Sequence, residues 1–285
     1  MDQSEILALI ETETQVRVKK HRFLLEGWDN VIVEVNDTMV FRFTRREEVQ
    51  KQFLKEIELL PVLVENLSLK VPMPIHTRMD ASPYFMSYQK IEGVPLKSST
   101  VNNYLENVSS SIGVFLSELH RIKGDKLNRI DYLDPSAWKT QYQMLFNRIE
   151  SELSENFNRR IWRRINYVFN SYLSDPENFI FEPVLCHRDL SGEHILHVIG
   201  TPTGVIDWGD ACFGDPAFDL TGLYADYGRS FAENISRRVE LPASYMERCE
   251  FYVMVIPFYE ALFGLDTENT DRLENGLRRI KSVFG

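Results

Sequence analysis

Four side chains suited to phosphoryl transfer lie close together in the segment Cys186 to Trp208. They are His187, Asp189, His194 and Asp207, on a stretch that reads as strand, loop, strand, turn and strand. Phosphoryl transfer needs a group that orients a hydroxyl and two oxygen- or nitrogen-bearing groups that hold Mg²⁺ against nucleotide phosphates. The ordered set therefore indicates a phosphotransferase site.

The two carboxylates of this segment have the best-defined roles. Asp189 is predicted to be the catalytic base, which accepts a hydrogen bond from the substrate hydroxyl and fixes its line of attack. The alternative is a loop aspartate that caps a turn. Asp207 ends the apolar run Gly-Val-Ile and is predicted to hold Mg²⁺. Its alternative is a helix cap or a turn residue.

The two histidines differ in what they can contribute. Magnesium prefers oxygen ligands, so His194 could be a weaker ligand, a ligand through water, or a residue that organises the loop. A structural histidine remains the alternative. His187 is interpreted as a packing residue that supports the loop.

A cation and a carboxylate near the N-terminus match a phosphate-binding arrangement. Arg42 lies mid-strand in Val-Phe-Arg-Phe, and Glu56 lies on the helix that follows. A strand cation braced by a helix carboxylate and touching nucleotide phosphates is what phosphotransferases use. A solvated strand face is the alternative, because charge in mid-strand is costly unless exposed.

Composition narrows the class of partner. The chain has 285 residues, with 32 lysines and arginines against 42 aspartates and glutamates, so its net charge is −10. This charge disfavours nucleic acid and anionic membranes and is compatible with a cationic small molecule. The three cysteines form no Cys-x-x-Cys pair, which favours the cytoplasm. We expect no signal peptide and no membrane-spanning segment.

Hydrophobic periodicity predicts a small sheet with one helix across it. Strands are expected within residues 22–43 and 84–91, and an amphipathic helix over 47–65. Residues 71–78 read as an extended, proline-punctuated link. The turn Gly27–Asn30 is a weak candidate for a loop over the phosphates, since it lacks the G-x-G-x-x-G pattern.

The chain becomes mainly helical after a polar segment broken by Gly93 and Pro95. Helices are predicted at 108–120, at 137–173 as one or two, at 245–263 and at 268–284. We therefore expect an α+β, two-lobed fold, with an N-terminal nucleotide-binding lobe (1–91), a hinge (92–98) and a C-terminal catalytic and substrate-binding lobe (99–285).

The last third of the chain is rich in acidic and tyrosine residues. Asp210, Asp226 and Glu260 could line a pocket for a polyamine-like substrate, although a charge cluster is more often a solvated face. Asp215 and Asp219 are predicted to be architectural, accepting backbone N–H groups near the catalytic loop.

Three motifs give the chain a family resemblance: CHRDLSGEHIL, GVIDWGDACFGDPAFDL and FMSYQKIEGVPL. In this order they resemble the aminoglycoside phosphotransferases, which share the protein-kinase-like fold. The chain is most similar to the 2″-aminoglycoside enzymes, whose loop motif also carries histidine at the second metal position; macrolide phosphotransferases are similar there too.

The resemblance implies transfer of the γ-phosphoryl group from ATP or GTP to an aminoglycoside hydroxyl, expected to be the 2″-hydroxyl, with antibiotic resistance as the result. It implies Asp189 as base, and His194 and Asp207 on Mg²⁺. It further implies nucleobase contacts from the backbone of Gln89 to Ile91 and a phosphate-binding cation braced by Glu56. Substrate ammonium groups would be held by a set of three carboxylates: Asp210, Asp226 and Glu260.

Two departures from the family pattern leave alternatives open. Arg42 replaces a more usual lysine, and Arg188 stands where glycine or asparagine is common and is assigned no role. The alternatives are a macrolide phosphotransferase, a choline-like small-molecule kinase, and a nucleotide-binding pseudoenzyme. A monomer is the expected oligomeric state.

Overall fold

The computed structural model of the chain describes residues 2–25, 30–125, 127–242 and 244–285. Apart from Asn30, the turn predicted at Gly27–Asn30 lies outside these residues. The strands are β1 (His21–Leu24), β2 (Asn30–Val35), β3 (Met39–Thr44), β4 (Pro74–Arg78), β5 (Phe85–Gln89), β6 (Val94–Pro95), β7 (Asp131–Tyr132), β8 (Val184–Cys186), β9 (Ile195–Val198), β10 (Thr201–Val205) and β11 (Cys212–Gly214). The helices are α1 (Gln3–Thr14), α2 (Gln50–Asn66), α3 (Ser98–Leu119), α4 (Pro135–Leu153), α5 (Arg159–Ser174), α6 (Thr221–Tyr227), α7 (Arg229–Arg238), α8 (Ser244–Asp266) and α9 (Thr270–Phe284).

The N-terminal part is an antiparallel sheet in the order β1-β2-β3-β5-β4. The predicted strands are confirmed, but the interpretation of residues 71–78 as a link is wrong, because β4 pairs there with β5. Its proline, Pro74, begins an edge strand, where a missing N–H costs no ladder hydrogen bond.

Helix α2 packs its apolar face against this sheet. Phe53, Leu60 and Leu63 recur at helical spacing and are fully buried. Glu56 lies on the same buried face, so its carboxylate needs a partner inside the protein. A short 3₁₀ turn, Glu47–Val49, leads into the helix, so the helix proper starts three residues after the predicted 47.

The C-terminal part is built from α3 to α9. The helical stretch predicted at 137–173 is two helices, α4 and α5, each started by a side-chain cap. Asp134 accepts from the N–H of Ala137, and Asn158 accepts from the N–H of Arg160 and Ile161. Helices α6 and α7 were not expected from periodicity.

Short strands carry the motif segment. β8, β9 and β10 appear in the predicted order, with β9 and β10 forming a hairpin. β9 also pairs with β6, within the predicted hinge, and β8 pairs with β11. The α+β, two-lobed fold class is thus confirmed; the division at residues 92–98 stays a prediction. Across the described ranges, no helix has the length and apolarity needed to cross a bilayer.

A buried polar network lies under this region. The Asp215 carboxylate accepts from Arg248 Nε at 2.6 Å and Nη2 at 2.9 Å, and from the Tyr252 hydroxyl at 2.6 Å. Asp215 is 0% and Arg248 1% exposed. Asp215 also accepts from the N–H of Ala217, which confirms its predicted architectural role. The pair ties the turn before Ala217 to α8.

Candidate active site

The predicted catalytic loop, residues 187–194, joins β8 to β9 and is anchored by His187. This side chain is fully buried against Trp208, with ring centroids 4.5 Å apart. Its Nε2 lies 3.0 Å from the carbonyl oxygen of Ile206, while Nδ1 accepts the N–H of Asp189 at 3.2 Å. The proton must therefore be on Nε2. The contacts agree with a packing residue that supports the loop.

Burial lowers the pKa of His187 to about 4. An unfolded chain binds a proton on this histidine near pH 6.5, so the fold loses stability as the pH drops from 6.5 towards 4. Between pH 7 and pH 4.5, the free energy of unfolding of the wild type should fall by about 2–3 kcal/mol more than that of His187→Gln. Glutamine keeps an N–H donor for Ile206 but cannot titrate. Urea unfolding at both pH values measures this, and equal losses in the two proteins would contradict it.

Asp219 holds the loop through a hydrogen bond to its backbone. Its Oδ1 accepts the N–H of Arg188 at 3.0 Å, and its Oδ2 lies 3.0 Å from Nε2 of His120. This confirms its predicted architectural role. His120, Cys186 and Asp219 also bring three possible metal-binding atoms within 4.8 Å of one another. Because both oxygens of Asp219 already accept hydrogen bonds, we assign this cluster to support of the loop.

The loop brings Asp189 and His194 together with Asp207 at the end of β10. His194 Nδ1 donates to the carbonyl oxygen of Asp189 at 2.7 Å, which leaves Nε2 turned towards Asp207 Oδ2, 3.8 Å away. Nδ1 also lies 3.4 Å from the Asp189 carboxylate. Asp207 has a left-handed backbone, with φ of 68°. The arrangement presents two carboxylates and one ring nitrogen on the same side of the hairpin.

The charge state of the site follows from burial and crowding. Burial raises the pKa of Asp189 to about 6, assisted by Asp210 and Asp207 and opposed by His194. Burial alone would lower the pKa of His194, but the negative charges of Asp189 and Asp207 outweigh this effect, so the pKa of His194 is raised. Asp189 can therefore hold or release a proton near neutral pH, as a general base must.

The predicted cation of the N-terminal sheet reaches this site. Arg42 Nη1 donates to Glu56 at 2.9 and 2.7 Å, and its Nη2 donates to Asp207 Oδ1 at 3.2 Å. Arg42 is 4% exposed, which rules out the solvated strand face. Burial acts to raise the pKa of Asp207, yet the positive charges of Arg42 and His194 lower it overall. Arg42 thus joins the N-terminal sheet to the catalytic segment.

The residues predicted to bind the nucleobase and the substrate differ in burial and in hydrogen-bond partners. Gln89 ends β5 with its side chain exposed, and Ile91 is buried just beyond. Asp226 Oδ2 accepts the N–H of Gly192 at 2.7 Å. Glu260 accepts from two side chains of α9, those of Asn275 and Arg279. The binding roles of these residues stay predictions.

Asp210 differs from the other two acidic residues. It is exposed, and its negative charge raises the pKa of Asp189 and also that of Glu56. Its role in binding substrate also stays a prediction.

Arg188, to which the sequence assigns no role, has defined contacts in the structure. Its guanidinium carbon lies 5.7 Å from the Trp138 ring centroid and 6.0 Å from that of Phe218, and Nη2 donates to Gln141 at 3.0 Å. Its backbone is left-handed, with φ of 70°. The available signal was a long cationic side chain directly before the predicted base.

Comparisons with known proteins agree on fold and family. Residues 20–252 match the phosphotransferase enzyme family. Viomycin phosphotransferase of Streptomyces vinaceus is 28% identical over 177 residues, which cover 57% of this chain. The matched part spans 58% of that relative's own length.

Solved structures with the same fold include antibiotic kinases. APH(2″)-IIIa with GDP and kanamycin superposes with a TM-score of 0.92 at 22% identity, covering 99% of this chain and 98% of that one. The gentamicin complex of APH(2″)-IIa gives 0.80 at 20% identity, covering 98% and 96%. Macrolide 2′-phosphotransferase MphH of Brachybacterium faecium gives 0.79 at 20% identity, covering 97% and 98%. At these identities the likeness shows the fold.

Proposed function

The chain belongs to the phosphotransferase enzyme family, and we propose that it transfers the γ-phosphoryl group of ATP or GTP to an aminoglycoside hydroxyl, the 2″-hydroxyl being the leading candidate. One observation carries the proposal: Asp189 lies beside the His194–Asp207 pair, which in turn faces the buried Arg42–Glu56 pair. These groups supply an acceptor base, a metal site and a phosphate cation in one place. Antibiotic resistance would be the consequence.

Asp189 is the proposed base. With its pKa raised to about 6, mainly by burial, the carboxylate is ionised at neutral pH yet can still take up a proton. It accepts a hydrogen bond from the acceptor hydroxyl and directs an oxygen lone pair at the γ-phosphorus. The His194 hydrogen bond to the Asp189 carbonyl keeps the loop in this position.

His194 and Asp207 fit a divalent cation. Nε2 and Oδ2 lie 3.8 Å apart, and these two atoms would be the protein ligands of such an ion. When bound, Mg²⁺ would neutralise charge on the phosphate oxygens. Arg42 supplies a fixed positive charge next to Asp207, and Glu56 holds that guanidinium in place.

A ring nitrogen at residue 194 should affect the choice of metal. A neutral imidazole suits Mn²⁺ better than Mg²⁺, and the imidazolium form must first lose its proton, whereas asparagine offers an oxygen that does not titrate. We expect His194→Asn to lower, by about threefold or more, the ratio of Mn²⁺-supported to Mg²⁺-supported kcat/KM. Metal titrations of the rate measure this, with exposed His21→Asn as control. An unchanged ratio would argue against metal contact by His194.

The proposed function is tested by nucleotide-dependent phosphorylation of kanamycin, gentamicin, erythromycin and choline, with ATP and GTP compared. Phosphorylated kanamycin or gentamicin supports the proposal, and mass and NMR analysis locates the modified hydroxyl. Turnover of erythromycin or choline alone would instead favour the macrolide or choline-like alternative. Tight nucleotide binding without turnover of any acceptor would favour a pseudoenzyme.

The proposed setting is the cytoplasm, with a monomeric protein that binds neither nucleic acid nor membrane. Support comes from three free cysteines and a net charge of −10. Light scattering with size-exclusion chromatography tests the monomer.

A further inference from the structure

We propose that Arg188 selects the acceptor, favouring aminoglycosides that present a hydroxyl rather than an ammonium group towards α4. The inference rests on the proposed function, since it concerns the same site. It gives a role to the residue in which this chain departs from the glycine or asparagine expected at that place in the motif.

The guanidinium of Arg188 is held in a defined position beside the catalytic loop. Trp138 and Gln141 on α4 and Phe218 on the 3₁₀ turn Pro216–Leu220 surround it, with one hydrogen bond to Gln141 Oε1 at 3.0 Å. Arginine carries five N–H donors, of which this bond takes one. The group can therefore donate to a hydroxyl or ether oxygen of a neighbouring ligand.

Arg188 and the catalytic carboxylate share one electrostatic neighbourhood. The two residues are adjacent in the loop, and Asp210 raises the pKa of both Asp189 and Arg188. An acceptor whose hydroxyl lies at Asp189 thus has this cation close by.

The backbone at Arg188 also points to a function for its side chain. A left-handed φ of 70° suits glycine or asparagine and is unfavourable for arginine. The conformation is held by the hydrogen bond from the Arg188 N–H to Asp219, a contact that glycine would make equally well. The loop therefore does not need arginine for its shape, and unfavourable backbone geometry of this kind clusters at functional sites.

Of the acidic residues proposed to bind substrate, Asp210 acts on the charge of Arg188, whereas Asp226 and Glu260 are engaged by other partners. Asp226 already accepts the N–H of Gly192, and Glu260 is paired with Asn275 and Arg279. A substrate ammonium placed against Arg188 would meet like charge, whereas a hydroxyl would gain a charge-assisted hydrogen bond. We expect the difference to be about tenfold in binding.

The test uses pairs of aminoglycosides that differ by one hydroxyl in place of one ammonium: paromomycin against neomycin, and kanamycin A against kanamycin B. For each we would measure the dissociation constant by calorimetry and the KM and kcat by phosphate transfer. We expect the wild type to favour the hydroxyl member of at least one pair about tenfold, through the dissociation constant and KM.

Three variants make the test specific. Arg188→Asn fits the left-handed backbone and removes the charge, so the preference should vanish; Arg188→Lys should retain part of it. Arg163→Asn, the same change on the exposed face of α5, is the control and should leave it intact. Thermal unfolding confirms that each variant folds.

The outcomes separate this inference from the proposed function. Turnover of all four acceptors without a preference, or a preference that survives in Arg188→Asn, overturns the role of Arg188 alone. A binding preference that depends on Arg188 but comes without phosphorylation overturns the proposed function and supports the selection. Absence of both binding and turnover overturns both.

Discussion

Asp189→Asn is expected to lower kcat by about a thousandfold while nucleotide affinity changes by less than about threefold. Asparagine is nearly the same size and keeps the backbone contacts of the loop. Its amide cannot take up the proton of the substrate hydroxyl. The contacts of Asp189 are with His194 and the loop, whereas the phosphate cation Arg42 is bonded to Glu56 and Asp207. The effect should therefore fall on turnover and spare nucleotide binding.

Steady-state kinetics with the best acceptor and calorimetric titration with a nucleotide analogue separate these effects. Asp80→Asn, which makes the same change of charge in an exposed turn, is the matched control. A kcat within tenfold of the wild type would remove Asp189 from the proposed chemistry. A parallel collapse of nucleotide affinity would instead indicate that the loop had lost its structure.

Asp215→Ala should be the most damaging change to stability outside the catalytic segment, costing about 3–5 kcal/mol of the free energy of unfolding. The substitution removes four hydrogen bonds at once, two from Arg248, one from Tyr252 and one from the N–H of Ala217. It also leaves the Arg248 guanidinium, which is 1% exposed, buried without its counter-charge. The aromatic contacts of the guanidinium, 4.1 Å from the centroid of Tyr245 and 5.7 Å from that of Phe181, cannot replace the lost charge.

Urea unfolding of Asp215→Ala, Arg248→Met and the double variant Asp215→Leu/Arg248→Met tests this. The double variant should recover much of the loss, because no charge is then left buried without a partner. Lys20→Gln breaks the exposed pair with Asp37 and should cost less than about 1 kcal/mol. A loss below 1 kcal/mol for Asp215→Ala would show that water or another group reaches Arg248.

Local sequence spacing was enough to predict the catalytic hairpin. A carboxylate five residues before a histidine, and another at the end of an apolar run, fix which side chains a strand–loop–strand unit brings together. The same holds for Asp215, whose place in a tight turn predicts that it accepts a backbone N–H group, here that of Ala217. These predictions depend on neighbours close in the chain.

Features that depend on distant parts of the chain could not be predicted from the sequence. Whether Arg42 lies on a solvated face or in a buried pair depends on how α2 packs over the sheet. Its partner on α2, Glu56, is 14 residues further along the chain. The partners of Glu260 come from α9, and no local pattern in α8 announces them. Helices α6 and α7, with 7 and 10 residues, are too short for periodicity to stand out.

The bond between Arg42 and Asp207 has a consequence for the order in which ligands load. Arg42 donates to Oδ1 of Asp207, so a divalent cation that arrived alone at Oδ2 would place its charge beside the guanidinium. A triphosphate would supply negative charge to both the guanidinium and the cation. The two ligands should therefore bind with positive cooperativity, each raising the affinity of the other by the same factor.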